Sequence, residues 1–449
     1  MKISYHKVNF EMDFKFPENL EEINNHINSV WRNLPSLTIT SDQNLLNETI
    51  NITQEFAKNK KQFIIFGTGG SNLGARALIN ISPEKSDNKI YFHDNIDPIF
   101  FEKSLSNIDF TSTGFIIISK SGKTPETLCQ LGAIVQLASN NNSLLTFYSN
   151  CLIITQFKTS PLLNIAKKIN CLLLEHKEDI GGRYSIFSNV GMVPAIIAGL
   201  DVKEIHRGAR HVIEKDHKDN LYKLGQLFKF QKKTSLTSSV IMTYSDALQY
   251  FGKWYLQLWA ESIGKANKGI TPIHSVGTTD QHSQLQLYLD GPRNNFFTIF
   301  FSKHIKKINL SNSFLPKKFQ YLKNKNLENI LSSQKKATEN IFKKKKIPYR
   351  HFIFNKNDES ELGSVFTFFV LIISFLSFCL FPIQLEAIKL FLIATLLKSL
   401  IVLLKSVFPD LIIKNIGKKM LIKIIAVMIA TCVFIFLCFK LFYIKNPND

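Results

Sequence analysis

The chain has 449 residues, of which 45% are hydrophobic and 20% charged, with only 20 Gly and 14 Pro. This composition excludes a collagenous, mucin-like or wholly disordered protein and allows two or three domains with a large core. The formal net charge of +20 permits contact with nucleic acid, anionic lipid or a phosphorylated substrate. No aromatic residues alternate with the lysine runs, so we expect no nucleic-acid partner. The six scattered cysteines predict neither a disulfide scaffold nor a zinc site.

Short apolar runs alternate with helical patterns along the chain, which predicts parallel sheets covered on both faces by helices. The fold class is therefore α/β, with two sheets joined by a charged helical stretch at 201–229. We predict an N-terminal segment at 1–44 that has no signal peptide. Two subdomains follow, at 45–200 and 201–371. The chain then continues as an apolar, helical C-terminal segment at 372–449. The predicted strands are 63–66, 90–93, 115–119, 144–150, 240–244 and 296–301.

The sequence GTGGSNLG at 67–74 directly follows the first of these strands. Glycines between a strand and a helix let backbone N–H groups approach an anion at the helix N-terminus. Asn72 stands where a dinucleotide fingerprint needs its third glycine, and Ala75-Arg76 replaces the Lys-Ser/Thr of a P-loop. The turn therefore favours a phosphate or sugar hydroxyls over NAD or ATP, although such a turn can also be purely structural.

A second turn, SKSGKTPET at 119–127, follows the third predicted strand. Its GKT imitates the end of a P-loop, but Ile117 stands where that motif requires glycine. What remains is a cluster of hydroxyls and a lysine at a helix N-terminus, which can hold a phosphate monoester. The alternative is a Ser/Thr-rich turn that only caps the helix.

Three residues are candidates for acid-base and electrostatic catalysis. In DIGGRYS at 179–185, two glycines let the backbone bring Arg183 close to a bound anion or a developing enediolate. Glu261, within WAESIGK, is a candidate general base, and His282, within GTTDQHS, is a candidate proton shuttle. A lone Glu or His is more often structural, and Arg183 could instead be a surface residue in a turn that begins a helix, so the hypothesis depends on their occurring together.

In their order and spacing, these motifs resemble the glucose-6-phosphate isomerase family, which has the sugar isomerase (SIS) fold. The resemblance covers about residues 40–371 and implies reversible conversion of glucose 6-phosphate to fructose 6-phosphate, in glycolysis and gluconeogenesis. It implies no metal or nucleotide cofactor and a homodimer with a shared active site, and we expect a cytoplasmic catalytic body. The stretches that carry it are FGTGGSNLGARAL, ISKSGKTPETL, DIGGRYSIFSNVGMVPAIIAGLD, WAESIGK and GITPIHSVGTTDQHSQLQLYLDGP.

The resemblance also implies a role for each candidate residue. Glu261 would move the proton between C2 and C1 through a cis-enediol, and Arg183 would stabilise the enediolate. His282 of the neighbouring subunit would help to open the sugar ring. Lys389, in a Glu-x-x-Lys spacing, would correspond to a lysine that contacts the substrate during ring opening. The residues at or close to the phosphate would be Gly70, Ser71, Ser119, Lys120, Ser121 and Thr124.

The sequence departs from the family after Leu371. The apolar run at 362–385 favours a buried core helix, whereas the run at 420–444 is long enough to span a bilayer. Two accounts of the C-terminal segment remain open. One is a membrane anchor with the lysines of 414–419 on the cytosolic side. The other is a reading-frame change near Leu371 that has replaced the native end.

Three other functions also remain open at this stage. The phosphate-binding turns do not identify the sugar, so the chain could isomerise another sugar phosphate. A phosphosugar-binding regulator would keep the turns but would have no use for Glu261 or His282. A catalytically impaired, membrane-tethered relative would keep the site and lack the C-terminal lysine.

Overall fold

The computed structural model of the chain describes residues 2–6, 32–82, 85, 87–214, 236–303, 308–313, 315–354 and 358–380. The strands in these ranges are β1 (Lys2–His6), β2 (Gln62–Phe66), β3 (Lys89–His93), β4 (Thr113–Ile118), β5 (Cys151–Thr155), β6 (Leu172–Glu175), β7 (Ser238–Tyr244), β8 (Thr271–Val276), β9 (Asn295–Ser302) and β10 (Tyr349–Phe354). The helices are α1 (Pro35–Thr38), α2 (Gln43–Ala57), α3 (Leu73–Ile81), α4 (Pro98–Leu105), α5 (Pro125–Asn140), α6 (Leu144–Ser149), α7 (Pro161–Ile169), α8 (Asn189–Ile197), α9 (Val202–Glu214), α10 (Gln249–Ile263), α11 (Leu285–Asp290), α12 (Leu327–Lys344) and α13 (Glu359–Leu380).

The first sheet has the strand order β3-β2-β4-β5-β6, and all its strands are parallel. Every residue of β4 and β5 is buried, as expected for strands covered on both faces. Successive residues of β4 enter different clusters because side chains alternate across a sheet. Phe115 packs with Leu131 of α5, and Ile116 packs with Val190 of α8. The sheet is therefore the middle layer of three.

The second sheet has the order β1-β10-β9-β7-β8. Its strands are parallel except for β1, which pairs antiparallel with β10. The two sheets confirm the predicted α/β class. Whether they correspond to separate subdomains over 45–200 and 201–371 stays a prediction.

Five of the six predicted strands occur within two residues of their expected bounds, but the strand predicted at 144–150 is wrong. That stretch forms α6, and the inner strand β5 begins only at Cys151. The residues of α6 are buried on one side only: Phe147 is fully buried, whereas Leu145 is 81% exposed. The CLIIT of β5 is buried throughout, so this run, rather than the one before it, suits the middle of a sheet.

The first apolar run of the C-terminal region forms the buried helix that the sequence favours. Helix α13 brings Phe369 to within 5.1–5.5 Å, ring centre to ring centre, of four aromatic side chains from α10, β9 and β10. Its residues up to 376 belong to a compact unit spanning 1–376, separate from a second unit, 377–449. Lys389 and the run at 420–444 lie outside the described residues. Within the described ranges, no helix has both the length and the apolar character needed to cross a membrane.

Candidate active site

Two of the predicted binding turns follow neighbouring strands of the first sheet. The chain leaves β2 for β3 on one side and then crosses to β4 on the other side, so the winding reverses between β2 and β4. Ligands of open α/β sheets bind in the crevice at the carboxyl ends of strands where this reversal occurs. The GTGG turn after β2 and the SKSGKT turn after β4 flank that position.

The turn after β4, hereafter the serine turn (residues 119–124), presents hydroxyls at the start of α5. Ser119 is 2% exposed, and its Oγ lies 2.8 Å from Oγ1 of Thr124. Thr124 is the residue that precedes α5, and its side chain makes no capping hydrogen bond to the helix. Ser121 is exposed and accepts a hydrogen bond from the backbone N–H of Lys123. These hydroxyls and the first N–H groups of a 16-residue helix are suited to a phosphate group.

The lysine of the serine turn connects it to the chain that leads to Arg183. Lys120 Nζ donates to the carbonyl oxygens of Glu178 and Ile180, each at 2.8 Å. Burial lowers the pKa of Lys120, and the nearby Asp179 and Glu178 carboxylates act in the opposite direction. The ammonium group therefore links the serine turn to the loop that precedes Arg183.

The GTGG turn after β2 packs, backbone against backbone, on the Gly181-Gly182 turn that precedes Arg183. A Cβ at Gly70 would lie only 2.2 Å from the carbonyl carbon of Gly182 and 2.7 Å from the amide nitrogen of Arg183. Ser185 Oγ also donates to the Gly70 carbonyl at 3.2 Å. Glycine is required at position 70 because any side chain would push Arg183 away from the turn.

Arg183 and Glu261 lie together at this place. Arg183 Nη1 donates to Glu261 Oε2 at 3.3 Å, and Arg183 Nε donates to Ser262 Oγ at 2.8 Å. Tyr184 Oη is 2.7 Å from the same serine oxygen. The Arg183 side chain is 21% exposed and that of Glu261 is 49% exposed, so both remain open to a ligand.

Sequence reasoning missed Gln257 and Trp254, both on α10. Gln257 Nε2 donates to Glu261 Oε1 at 2.8 Å, and it lies beside the glycine turn, since a Cβ at Gly69 would be 3.0 Å from it. Trp254 Nε1 donates to the Arg183 carbonyl at 3.2 Å. The Gln257–Glu261 spacing of four on one helix was a usable signal, because residues i and i+4 are neighbours on a helix surface.

His282 is exposed and follows a short turn, Thr279–Gln281, after β8. Within the described residues, no hydrogen bond joins its ring to Glu261 or Arg183. Of the predicted catalytic residues, the single chain thus brings two together, leaves His282 on its surface, and has Lys389 outside the described part.

The assembled groups are a carboxylate, a guanidinium and a turn whose hydroxyls and helix N-terminus are suited to an anion. A carboxylate beside a cation can move a proton next to a carbonyl and stabilise the oxyanion that develops. In the part of the chain that the structure describes, no three His, Cys, Asp or Glu side chains are grouped to hold a metal ion.

The family model for phosphoglucose isomerase matches residues 48–368. A probable glucose-6-phosphate isomerase of Methanococcus maripaludis is 35% identical over 325 residues, which are 70% of this chain and 72% of the relative. The glucose-6-phosphate isomerase of Methanocaldococcus jannaschii is 33% identical over 326 residues, which are 70% of this chain and 77% of the relative. The matched region contains every predicted site residue except Lys389.

Two solved structures share the fold. A hypothetical protein of Thermus thermophilus has a TM-score of 0.72 at 24% identity, over 80% of this chain and 88% of its own. A glucose-6-phosphate isomerase of Chlamydia trachomatis has a TM-score of 0.62 at 20% identity, over 85% of this chain and 76% of its own. At these identities the likeness shows the fold alone.

Proposed function

The chain belongs to the phosphoglucose isomerase family, and from this membership we propose that it interconverts glucose 6-phosphate and fructose 6-phosphate. The observation that carries the proposal is the pair formed by Glu261 and Arg183, whose carboxylate and guanidinium are 3.3 Å apart beside the Gly70 turn. An aldose-ketose isomerisation needs these two groups because it moves a proton between adjacent carbons and creates an oxyanion on the way.

The phosphate would bind at the serine turn and at Ser71. The exposed Ser121 and the pair Ser119–Thr124 supply hydroxyl donors, and the N-terminus of α5 supplies N–H groups and a favourable dipole. Binding at this position would leave the carbonyl end of the sugar free to reach Glu261. The phosphate therefore orients the substrate, whereas the chemistry occurs at the other end.

The chemistry follows from the positions of the two charged groups. In the direction from aldose to ketose, Glu261 takes the proton from C2 of the open-chain sugar, and the electrons left behind form the C1–C2 double bond of a cis-enediolate with its negative charge on O1. The protonated Glu261 returns this proton to C1, while the hydroxyl proton of O2 passes to O1, so O2 becomes the ketone oxygen and O1 a hydroxyl. Arg183 stabilises the negative charge on the oxygens, and Gln257 holds Glu261 in place through its 2.8 Å hydrogen bond.

Ring opening would be assigned to His282 of a second subunit. The exposure of His282 in the single chain supports this assignment, because a residue delivered across an interface must lie on the surface of its own subunit. The proposal therefore includes a homodimer in which each site takes Glu261 from one chain and His282 from the other. Lys389, which lies outside the described residues, stays a prediction for a second contact during ring opening.

We also infer a cytoplasmic catalytic body. Sugar phosphates are charged and stay in the compartment in which they are made, and the relatives are named for acting on such a compound.

The direct test is a coupled assay that converts fructose 6-phosphate to glucose 6-phosphate, with the full chain and its Glu261→Gln variant. Substrate binding should change little, while turnover should fall by about 10²–10⁴-fold because the positioned base is lost. Glu55→Gln, an exposed position on α2, is the matched control. No conversion by the full chain would contradict the proposed function, whereas near-normal turnover of Glu261→Gln would remove Glu261 from its role as the base.

The shared site can be tested separately by mixing two inactive variants. Glu261→Gln and His282→Gln should each have very low activity alone. After reassociation at equal amounts, about a quarter of the sites should combine an intact Glu261 with an intact His282, because half of the dimers are mixed and each has one complete site. No recovery on mixing would argue against His282 acting across an interface.

A further inference from the structure

The side chain next to His282 is tied to the interior of the protein. Gln281 Nε2 lies 2.6 Å from Tyr244 Oη and 2.5 Å from Thr338 Oγ1. Tyr244 ends β7 and Thr338 lies in the middle of α12, and these two residues are 0% and 2% exposed. The loop that carries His282 is thus attached by one amide both to strand β7, an inner strand of the second sheet, and to helix α12.

The residues on the other side of the loop are held as well. Gln284 Oε1 accepts hydrogen bonds from Ser275 Oγ at 3.0 Å and from Tyr288 Oη at 2.6 Å. Asp280 Oδ2 accepts the backbone N–H of Val276 at 2.6 Å. The neighbours of His282 are therefore fixed by buried or backbone partners, whereas the imidazole itself points outward.

The polarity of the anchor suits an amide donor. Tyr244 Oη donates its proton to Thr338 Oγ1 at 2.7 Å, which leaves lone pairs on both oxygens for Gln281 to fill. Burial raises the pKa of Tyr244 to about 12, so the phenol keeps this proton across the ordinary pH range. A side chain of the same length without the amide would leave two buried hydroxyls short of a donor.

We propose that Gln281 is a positioning residue for His282: it fixes the loop on β7 and α12 so that the imidazole reaches the sugar ring of the neighbouring site. The inference rests on the proposed function, because it assumes that His282 opens the ring. A displacement of about 1 Å in a catalytic group can lower the rate by about 10²-fold. An anchor that prevents such a shift therefore contributes to the rate of ring opening through the imidazole that it positions.

The test is Gln281→Met, which keeps the length of the side chain and removes the amide. We expect kcat to fall about 10- to 100-fold while KM changes less than about threefold. Ring opening should fall by a similar factor, measured by NMR as exchange between the α and β anomers of glucose 6-phosphate. The control is Gln286→Met on α11, where an exposed amide donates to Asp290 Oδ2 on the surface at 2.8 Å. It should behave as the unmodified chain does.

A double-mutant cycle separates positioning from a general loss of structure. Gln281→Met should lower activity little or not at all when added to His282→Gln, since both changes remove the same contribution. Thr338→Val removes an acceptor from the other side of the link and should cause the same loss, which keeps the test valid if Gln281→Met is unstable.

The outcomes distinguish this inference from the function on which it rests. Unimpaired Gln281→Met and Thr338→Val beside an impaired His282→Gln would overturn the positioning role alone, as would a large further loss in the double variant. An unimpaired His282→Gln would overturn the proposed role of His282, and the inference with it.

Discussion

At the scale of single residues, Ser262 holds Arg183 in place next to Glu261. Its hydroxyl is 1% exposed and lies between Arg183 Nε and Tyr184 Oη. The arginine can therefore meet Glu261 through Nη1 while its Nε is held elsewhere, so the guanidinium does not close on the carboxylate as a bidentate pair. The Glu261 carboxylate stays accessible to a substrate proton for this reason.

Ser262→Ala should weaken catalysis more than binding. Without its anchor, Arg183 can turn toward Glu261, and we expect kcat to fall about tenfold with KM changed less than about threefold. Steady-state kinetics in the coupled assay would measure both. Ser239→Ala is the control because that serine is equally buried and, among the described residues, its hydroxyl has no hydrogen-bond partner. Equal kinetics for the two variants would remove Ser262 from this role.

Gly70→Ala should damage both the site and the fold. The added methyl group would meet the Gly182 backbone at 2.2 Å, and the two turns can separate only by moving Arg183. We expect the free energy of unfolding to fall by about 1–3 kcal/mol, the usual cost of overpacking, with a larger proportional loss of kcat/KM.

The matched change is Gly132→Ala on α5, where a Cβ has open space. Here alanine should raise the free energy of unfolding by about 0.5–1 kcal/mol, because glycine is a poor residue inside a helix. Urea unfolding of both variants would measure this contrast. Similar effects at the two positions would show that the turns do not pack as closely as described.

At the scale of elements, helix α13 holds the aromatic core of the second sheet. It crosses α9 at a pair of glycines: a Cβ at Gly363 would lie 1.9 Å from the Ile205 carbonyl oxygen, and one at Gly208 would lie 1.9 Å from that of Ser360. This close approach lets Phe369 reach the aromatic side chains of α10, β9 and β10. The apolar side chains of α13 thus form part of the core of the first unit.

Phe369→Ala should lower the free energy of unfolding by about 3–5 kcal/mol, the usual cost of deleting a buried phenylalanine. The ring is 0% exposed and packs against four aromatic side chains of α10, β9 and β10, so the cavity cannot close easily. Phe100→Ala, at a ring that is 74% exposed, should change it by no more than about 0.5 kcal/mol. A small effect at Phe369, measured by urea unfolding, would mean that α13 does not stabilise the core.

The elements also show what the sequence could and could not predict. Buried strands such as β2, β4 and β9 could be predicted because a short, continuous apolar run between turn residues is typical of a buried strand. The same rule failed at α6, since periodicity does not distinguish a short apolar helix from a buried strand. The antiparallel pairing of β1 with β10 joins opposite ends of the described chain, and nothing local in the sequence indicates it.

At the scale of the whole molecule, the site depends on contacts between distant parts of the chain. Arg183 and Glu261 are 78 positions apart, and the individual motifs could predict their residue types but not their 3.3 Å separation. The Lys120 link to the loop before Arg183 and the Gln281 link to Thr338 were missed for the same reason. Local sequence patterns indicate which residues can do the chemistry, whereas the residues that orient them are brought into contact only by the folded chain.

The pH dependence of stability is another property of the whole molecule, because buried or half-buried histidines occur in both halves of the fold. Burial lowers the pKa of His176, His206 and His274 to about 4 in each case. An unfolded histidine has a pKa of about 6.5. Between about pH 6.5 and 4 the unfolded chain therefore binds protons that the folded chain does not, and the free energy of unfolding must fall as the pH is lowered. Each such histidine contributes up to about 1.4 kcal/mol per pH unit.

Urea unfolding between pH 7.5 and 5 would measure this slope, and His206→Gln should reduce it by about one proton. Glutamine is a suitable replacement because His206 Nε2 donates to the Phe187 carbonyl at 3.0 Å, and an amide can donate in its place. His211→Gln, an exposed position on the same helix α9, serves as the control substitution. If stability stayed level down to pH 5, or if His206→Gln left the slope unchanged, these rings would have to be protonated in the folded protein, which their burial opposes.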